Sequence, residues 1–351
     1  MSEFTEMIPG LPEEIALECL TRLPHSAHRV ASQVCHRWRQ LIQSKDFYYH
    51  RRNSGKTHKL ACLVQSLPGQ TGADKRVGPT TYGLTVFDLE TRSWGRVDSS
   101  RIYPNGIPLF CRVTSSEGKL VFIGGWDPVS YESVPDAFVY ELTSQCWRKC
   151  KDMPSKRSFF AIGSAQDKVI IAGGHDENKN ALNSAWVYDL SQDEWTELTQ
   201  MSEERDECQG VVTGSVLWVV SGYGTDSQGI FKTSAEFYDL GASHWERDEN
   251  AWTESTQSPR SCVGVGKDGK LFCWSGSDPG LKVGACAVQC GDWTFLTGSA
   301  YQGGPQGFYL AKEEEKGGER EKENGSCLVL ECVTVPEEFL GFVLSGCCVE
   351  I

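Results

Sequence analysis

Short apolar runs closed by small residues recur along the chain at nearly constant intervals. Leu120-Val121-Phe122-Ile123 leads into Gly124-Gly125, and Val169-Ile170-Ile171-Ala172 into Gly173-Gly174; Val216 to Val220 leads into Ser221-Gly222, and Leu271 to Trp274 into Ser275-Gly276. Runs this short, rich in β-branched and aromatic residues and bounded by glycine, predict strands buried on both faces. Paired glycines admit a close backbone approach and an unusual turn. A second signal keeps register with the first: an aromatic residue, six arbitrary residues and a tryptophan. It occurs at Phe87…Trp94, Tyr140…Trp147, Tyr188…Trp195 and Tyr238…Trp245, with Cys286…Trp293 as a weaker fifth copy. The tryptophans are 53, 48, 50 and 48 residues apart. A unit of about 50 residues holds four short antiparallel strands, and such units stacked about an axis form a β-propeller.

These features together resemble the kelch repeat, whose marks are the double glycine and a Tyr and Trp six residues apart. The resemblance runs from about Lys59 to Trp293; the first copy lacks the glycine pair and the fifth has Cys286 for Tyr. The first copy opens at Lys59-Leu60-Ala61-Cys62-Leu63-Val64, which matches the second strand of later copies. The C-terminal segment Phe339 to Ser345 matches a first strand, so pairing the two chain ends would close the ring and remove its edges. Gly307 to Leu310 and Cys327 to Leu330 supply strands for a further degenerate unit. Six blades are expected, with five as the alternative. The charged run 312–323 has no apolar residue and is expected to be a solvated loop between strands.

Residues 8–50 lack the repeat. Helical spacing places Ile15, Cys19, Leu20 and Leu23 on one face of 13–23, and Ala27, Val30, Ala31, Val34, Cys35, Trp38, Leu41 and Ile42 on one face of 26–42. Pro12 suits a first helical turn, and Pro24 separates the helices. Leu11-Pro12, Ile15, Leu20, Leu23-Pro24, Val34-Cys35, Trp38, Leu41 and Phe47 resemble an F-box. That resemblance implies docking to the Skp adaptor of a cullin-based ubiquitin ligase through Leu11, Pro12, Ile15, Leu20, Leu23, Pro24, Val34 and Cys35, with Trp38 partly core. A helical cap packed on the propeller is the alternative. The expected organisation is an all-α F-box module at 1–50, a linker at 51–58 and an all-β kelch propeller at 59–351. The whole resembles the plant F-box/kelch-repeat family, within which one subgroup targets phenylalanine ammonia-lyase and type-B response regulators of cytokinin signalling.

Charge and cysteine content narrow the classes. The 351 residues carry 34 Lys+Arg and 47 Asp+Glu, a net charge of −13, which argues against a nucleic-acid or anionic-membrane binder and for a protein partner. The N-terminus has neither the basic nor the apolar region of a secretory signal, and no apolar run reaches a membrane span. The 15 cysteines include no C-x-x-C pair and lie mostly in apolar runs, which predicts a reducing compartment, cytoplasm or nucleus.

No catalytic constellation stands out, so no enzyme activity, metal or cofactor is expected. Of seven histidines only His175 and His244 fall in the repeats, a weak match to the copper-binding histidines of kelch oxidases or to iron-dependent kelch specifier proteins. The ending Cys348-Val349-Glu350-Ile351 fits a prenylation signal loosely, and a terminal strand or tail is expected instead. One set invites a binding role: Arg112, Arg157, Arg205 and Arg260 each precede a repeat's apolar run. Equivalent positions in successive blades form a ring, so four guanidiniums with Tyr223 could grip an acidic segment of a target protein. The alternative, that each hydrogen-bonds carbonyls between its own blades, remains open at this level. The expected role is substrate receptor of a Skp–cullin–F-box ligase; a kelch metal-dependent enzyme and a scaffold without ubiquitylation are the alternatives.

Overall fold

The computed structural model describes residues 6–68, 80–165, 167–252, 258–259, 262–266, 269–274, 281–315 and 326–351. Four helices come first: α1 (Glu13–Thr21), α2 (His25–Ala31), α3 (His36–Ile42) and α4 (Lys45–Asn53). The single helix expected over 26–42 is two. Cys35 takes an extended backbone and its Sγ accepts the Trp38 N–H at 3.4 Å, which restarts the chain as α3. Within the expected linker 51–58, α4 runs to Asn53, and His58 exchanges backbone hydrogen bonds with Ile351 at 2.7 and 2.9 Å. Leu20, Ala31, Ile42 and Phe47 form the core of this module.

The strands follow in order around an axis. The first blade holds β1 (Lys59–Ser66), β2 (Tyr82–Asp88) and β3 (Trp94–Val97). The second holds β4 (Arg112–Ser116), β5 (Lys119–Ile123), β6 (Ala137–Glu141) and β7 (Cys146–Lys149); the third β8 (Ala161–Ala165), β9 (Lys168–Ala172), β10 (Ala185–Asp189) and β11 (Glu194–Glu197). The fourth comprises β12 (Gln209–Thr213), β13 (Val216–Val220), β14 (Ala235–Asp239) and β15 (His244–Asp248). In the fifth position the described residues form a two-stranded sheet, β16 (Val263–Val265) with β17 (Leu271–Cys273). The last sheet is β18 (Val283–Cys290), β19 (Trp293–Ser299), β20 (Gly307–Glu315) and β21 (Ser326–Cys332), and β22 (Val343–Glu350) returns to the first blade, pairing Cys347 with Cys62 and Glu350 with Lys59.

Among the described residues, five four-stranded blades and one two-stranded sheet therefore ring the axis. Each innermost strand touches the next: β22, β4, β8, β12, β16, β18 and back to β22. The core lies between blades, as where Val121, Val139, Phe160, Ile171 and Tyr188 join the second to the third. Closure by the C-terminal strand is as expected, but the strand is Val343–Glu350 rather than 339–345, and Glu337–Phe339 is a 3-10 turn. The tail cysteines Cys347 and Cys348 thus lie in the closing strand.

The repeat signature has a physical basis here. Phe87, Tyr140, Tyr188 and Tyr238 are direct cross-strand partners of Trp94, Trp147, Trp195 and Trp245. Each tryptophan donates its indole N–H to the preceding blade, at Thr334, Asp98, Lys151 and Thr199 carbonyls, over 2.7–3.1 Å. The fifth copy does not share this: Cys290, not Cys286, faces Trp293, and the two lie on the first and second strands of the last blade. Gly125, Gly174 and Gly222 have φ of +99°, +82° and +88°, and a Cβ there would sit 2.7, 2.3 and 2.7 Å from a carbonyl of the adjoining loop. Of the charged run, 312–315 continue β20 and 316–323 lie outside the described residues.

Candidate functional surfaces

Alternate strand directions give the propeller two faces. The hairpin turns at Glu117-Gly118, Asp167 and Asp88–Arg92 form one, and the helices sit on it. Tyr49 donates to Glu117 at 2.8 Å, Lys45 pairs with Glu117 and Asp167 at 2.8 and 3.6 Å, and Arg29 donates to Gln145 at 2.8 Å. Helix α4 covers the axial mouth: Tyr48, Tyr49 and Arg52 line a cavity of about 580 Å³ with Ser116, Glu117, Asp167 and Glu350. The opposite face, one strand length or about 17 Å away, carries the loops that follow each glycine pair.

On the helical module the expected docking residues divide. Ile15 and Val34 are 51% and 61% exposed, and Pro12, Pro24 and Cys35 are exposed too. Leu11, Leu23 and Trp38 are half-buried, with the Trp38 indole donating to the Met7 carbonyl at 2.7 Å. Leu20 is corrected: at 2% exposure it belongs to the core, because the i, i+4 pair Ala16 and Leu20 turns inward and leaves Ile15 outside. Val30, placed on the apolar face of 26–42, is 68% exposed and extends the apolar surface.

The expected ring of arginines is not formed by the described residues. Arg157 and Arg205 are equivalent, four positions before the first strands of their blades, but Arg112 is the first residue of β4 and equivalent to Ala161 and Gln209. Arg157 donates to the Gly173 and Ser184 carbonyls at 3.2 and 3.0 Å. Arg205 donates to the Ser221 and Ser234 carbonyls at 2.9 and 3.0 Å and pairs with Glu236 at 3.0 Å. At 1% and 0% exposure both are clamps inside the fold, as the alternative had it. Arg112 does reach the axis, where its guanidinium donates to Gln209 and to the Cys208 carbonyl of the fourth blade at 3.2 Å each. Arg260 lies outside the described residues.

What the free face does gather is a row of side chains across the second to fourth blades. Trp126, His175 and Tyr223 each follow a glycine pair or its Ser-Gly equivalent and bridge to Leu109, Ser158 and Asp206. The Trp126 indole donates to Ser158 Oγ at 2.6 Å, the His175 Nδ1 meets both Asp206 oxygens at 2.9 Å, and Lys179 Nζ stands 3.1 Å from His175 Nε2 and 4.2 Å from the Trp126 ring centroid. Tyr223 donates to Glu207 at 3.2 Å; burial first, then Asp206 and Glu207, push its hydroxyl pKa up, so it stays protonated. Phe110, Phe159 and Glu207, equivalent residues on this rim, adopt φ of 58°, 55° and 50°. Left-handed backbone at a non-glycine residue costs about 1–3 kcal/mol and gathers at functional sites. Periodicity could not reveal this row, since its members differ in type from blade to blade.

His175 lies on this face and His244, which opens β15, on the helical one, so the two do not share a ligand. Burial pushes Cys111 and Cys286 up to about 12, leaving them as inert packing groups. No described helix is long and apolar enough to cross a membrane.

Residues 8–50 match the F-box domain, and residues 58–278 the KLHDC2/KLHL20/DRC7 Kelch-repeats domain. Three Arabidopsis thaliana proteins are similar over most of their length. The F-box/kelch-repeat protein At2g44130 is 40% identical over 302 residues, 78% of this chain and 73% of its own. SKIP20 is 38% identical over 293 residues, 73% of this chain and 69% of its own. At1g80440 is 35% identical over 303 residues, 83% of this chain and 85% of its own. With helices, blades and relatives in agreement, the chain belongs to the plant family of F-box/kelch-repeat proteins.

Proposed function

We propose that the chain is the substrate-recognition subunit of a Skp–cullin–F-box ubiquitin ligase, acting in the cytoplasm or nucleus. One observation carries the reading: large exposed apolar side chains lie at both ends of the molecule. Ile15, Val30 and Val34 mark the helical end; Val129, Tyr131, Ile230, Tyr301, Leu340 and Phe342 mark the loops of the free face. Apolar surface left in water at two separated sites is the mark of two partners. The helical patch would hold the Skp adaptor and the free face the target.

The chain itself would break no bonds. Its contribution is rigidity: a target seated on the free face is held at high effective concentration beside the ubiquitin-charged enzyme carried by the cullin. Phenylalanine ammonia-lyase and type-B response regulators are the targets proposed, on the resemblance to the subgroup that recognises them. Co-purification tests both ends. The intact chain is expected to retain Skp adaptor and cullin, and Leu11→Ala with Pro12→Ala to lose them while still capturing target. Trp126→Ala with Tyr131→Ala should do the reverse. An intact chain that retained neither adaptor nor cullin would sink the ligase reading, adaptor retained by the first variant would move the docking surface away from Leu11 and Pro12, and neither target captured by the intact chain would sink the target assignment alone.

A further inference from the structure

Where the helices meet the propeller, three possible metal ligands converge that serve neither surface above. His25 opens α2, His58 immediately precedes β1 and Asp88 ends β2. Their ligand atoms all lie within 4.8 Å of one another, the one such group among the described residues. His58 Nδ1 is 3.2 Å, and His25 Nδ1 3.8 Å, from the same oxygen, Asp88 Oδ2. Donor atoms at zinc-bond lengths of about 2.0–2.1 Å in a tetrahedron stand about 3.3 Å apart, so the cluster is within a small side-chain adjustment of a coordination shell.

Two further features point to an ion. The His25 Nδ1 is buried and makes no hydrogen bond, and a buried polar atom of that kind calls for a missing partner. The surroundings also hold the ligands in place from behind. His58 Nε2 lies 3.5 Å from Glu90 Oε2, and Asp88 Oδ1 accepts the Glu90 and Thr91 backbone N–H groups at 2.8 and 3.1 Å, which turns Oδ2 toward the histidines. A ligating histidine whose other nitrogen faces a carboxylate is the usual arrangement in metal sites. Asp88 and Glu90 together also match the charge of a divalent cation.

We propose that His25 Nδ1, His58 Nδ1 and Asp88 Oδ2 bind zinc(II), with water in the fourth position. Two imidazoles and a carboxylate suit zinc among the divalent metals. Because His25 belongs to the helices and the other two to the first blade, the ion clasps the two parts and fixes the angle at which an adaptor and a target would be presented.

The test uses the full chain, stripped with chelator and dialysed against zinc chloride, with metal measured by elemental analysis and stability by thermal unfolding. The intact chain is expected to bind one equivalent and to unfold at higher temperature with it. His25→Ala and Asp88→Asn should lose that equivalent and the shift. Glu90→Gln, at an exposed side chain, should weaken zinc binding about 10- to 100-fold with the fold intact, and so decides the matter if a ligand variant misfolds. Cobalt(II) substituted into the chain should show d–d bands without the intense charge-transfer band of a thiolate. No bound zinc in the intact chain, an equivalent unchanged in all three variants, or a thiolate band would each overturn the assignment.

Discussion

The Arg51 guanidinium, on the last helix, reaches the main-chain oxygen of Ile351 at 3.4 Å, 300 residues along the chain. It also donates to the Thr21, Leu23 and Lys56 carbonyls at 2.7, 2.6 and 2.8 Å. One side chain thereby joins α1, the turn after it, the entry to the propeller and the end of the closing strand. Burial lowers its pKa to about 10, so it remains a cation at neutral pH.

Arg51→Met removes four donations and leaves buried carbonyls unpaired, each worth about 1–3 kcal/mol. The expected loss is at least about 3 kcal/mol in urea unfolding, with faster hydrogen exchange in α1 and α4. Arg51→Lys should not restore it, since an ammonium lacks the planar fork that reaches several acceptors. A loss below 1 kcal/mol would show that the joint does not depend on this residue.

The glycines separate conformation from contact. Gly174 and Gly214 both have positive φ, +82° and +62°, but a Cβ at Gly174 would lie 2.3 Å from the Ser158 carbonyl whereas Gly214 has nothing within 4 Å. Gly214→Ala should therefore cost about 1–2 kcal/mol, the left-handed penalty alone, and Gly174→Ala clearly more. Equal thermal shifts would mean the close approach is not a constraint.

Leu20 and Val34 both belong to the expected docking set, but Leu20 is buried and Val34 exposed. Leu20→Ala should cost about 2–5 kcal/mol, as expected of a core leucine. Val34→Asp, at 61% exposure, should leave stability within about 0.5 kcal/mol yet abolish adaptor capture. Denaturation curves and pull-downs on the same two proteins settle it, and a Val34→Asp chain that still captures adaptor would move the docking surface elsewhere.

His28 makes stability depend on pH. It is 1% exposed against Phe47, and burial first, with the nearby charges of Arg51, His25 and His58, lowers its pKa from 6.5 to about 4. The unfolded chain takes up this proton near pH 6.5 and the folded chain only near pH 4, so stability falls as pH drops through that window. The size is about 3 kcal/mol. His28→Leu should flatten that fall, measured by urea unfolding between pH 7 and 4. An unchanged slope would show that His28 is not held neutral.

Local pattern determined a large part of this protein. Short continuous apolar runs and glycine punctuation marked the strands of the second, third and fourth blades, and the spacing of Tyr140 from Trp147 located a cross-strand pair, because strand geometry converts short sequence separation directly into contact. The helices were legible for the same reason, as was the need for a C-terminal strand to hide the open edge. Tertiary structure decided the rest. Helical periodicity places Ile15 and Leu20 on one face but cannot say which of them meets the other helices. Arg112 and Arg157 look alike in sequence, yet a four-residue difference in register sends one to the axis and buries the other between strands. His25, His58 and Asp88 share no spacing at all. His58 and Asp88 meet because β1 pairs with β2, and His25 joins them where the start of α2 packs its ring against His58; contacts of that kind depend on strand pairing and on how the helices seat on the blade rather than on any neighbour in sequence.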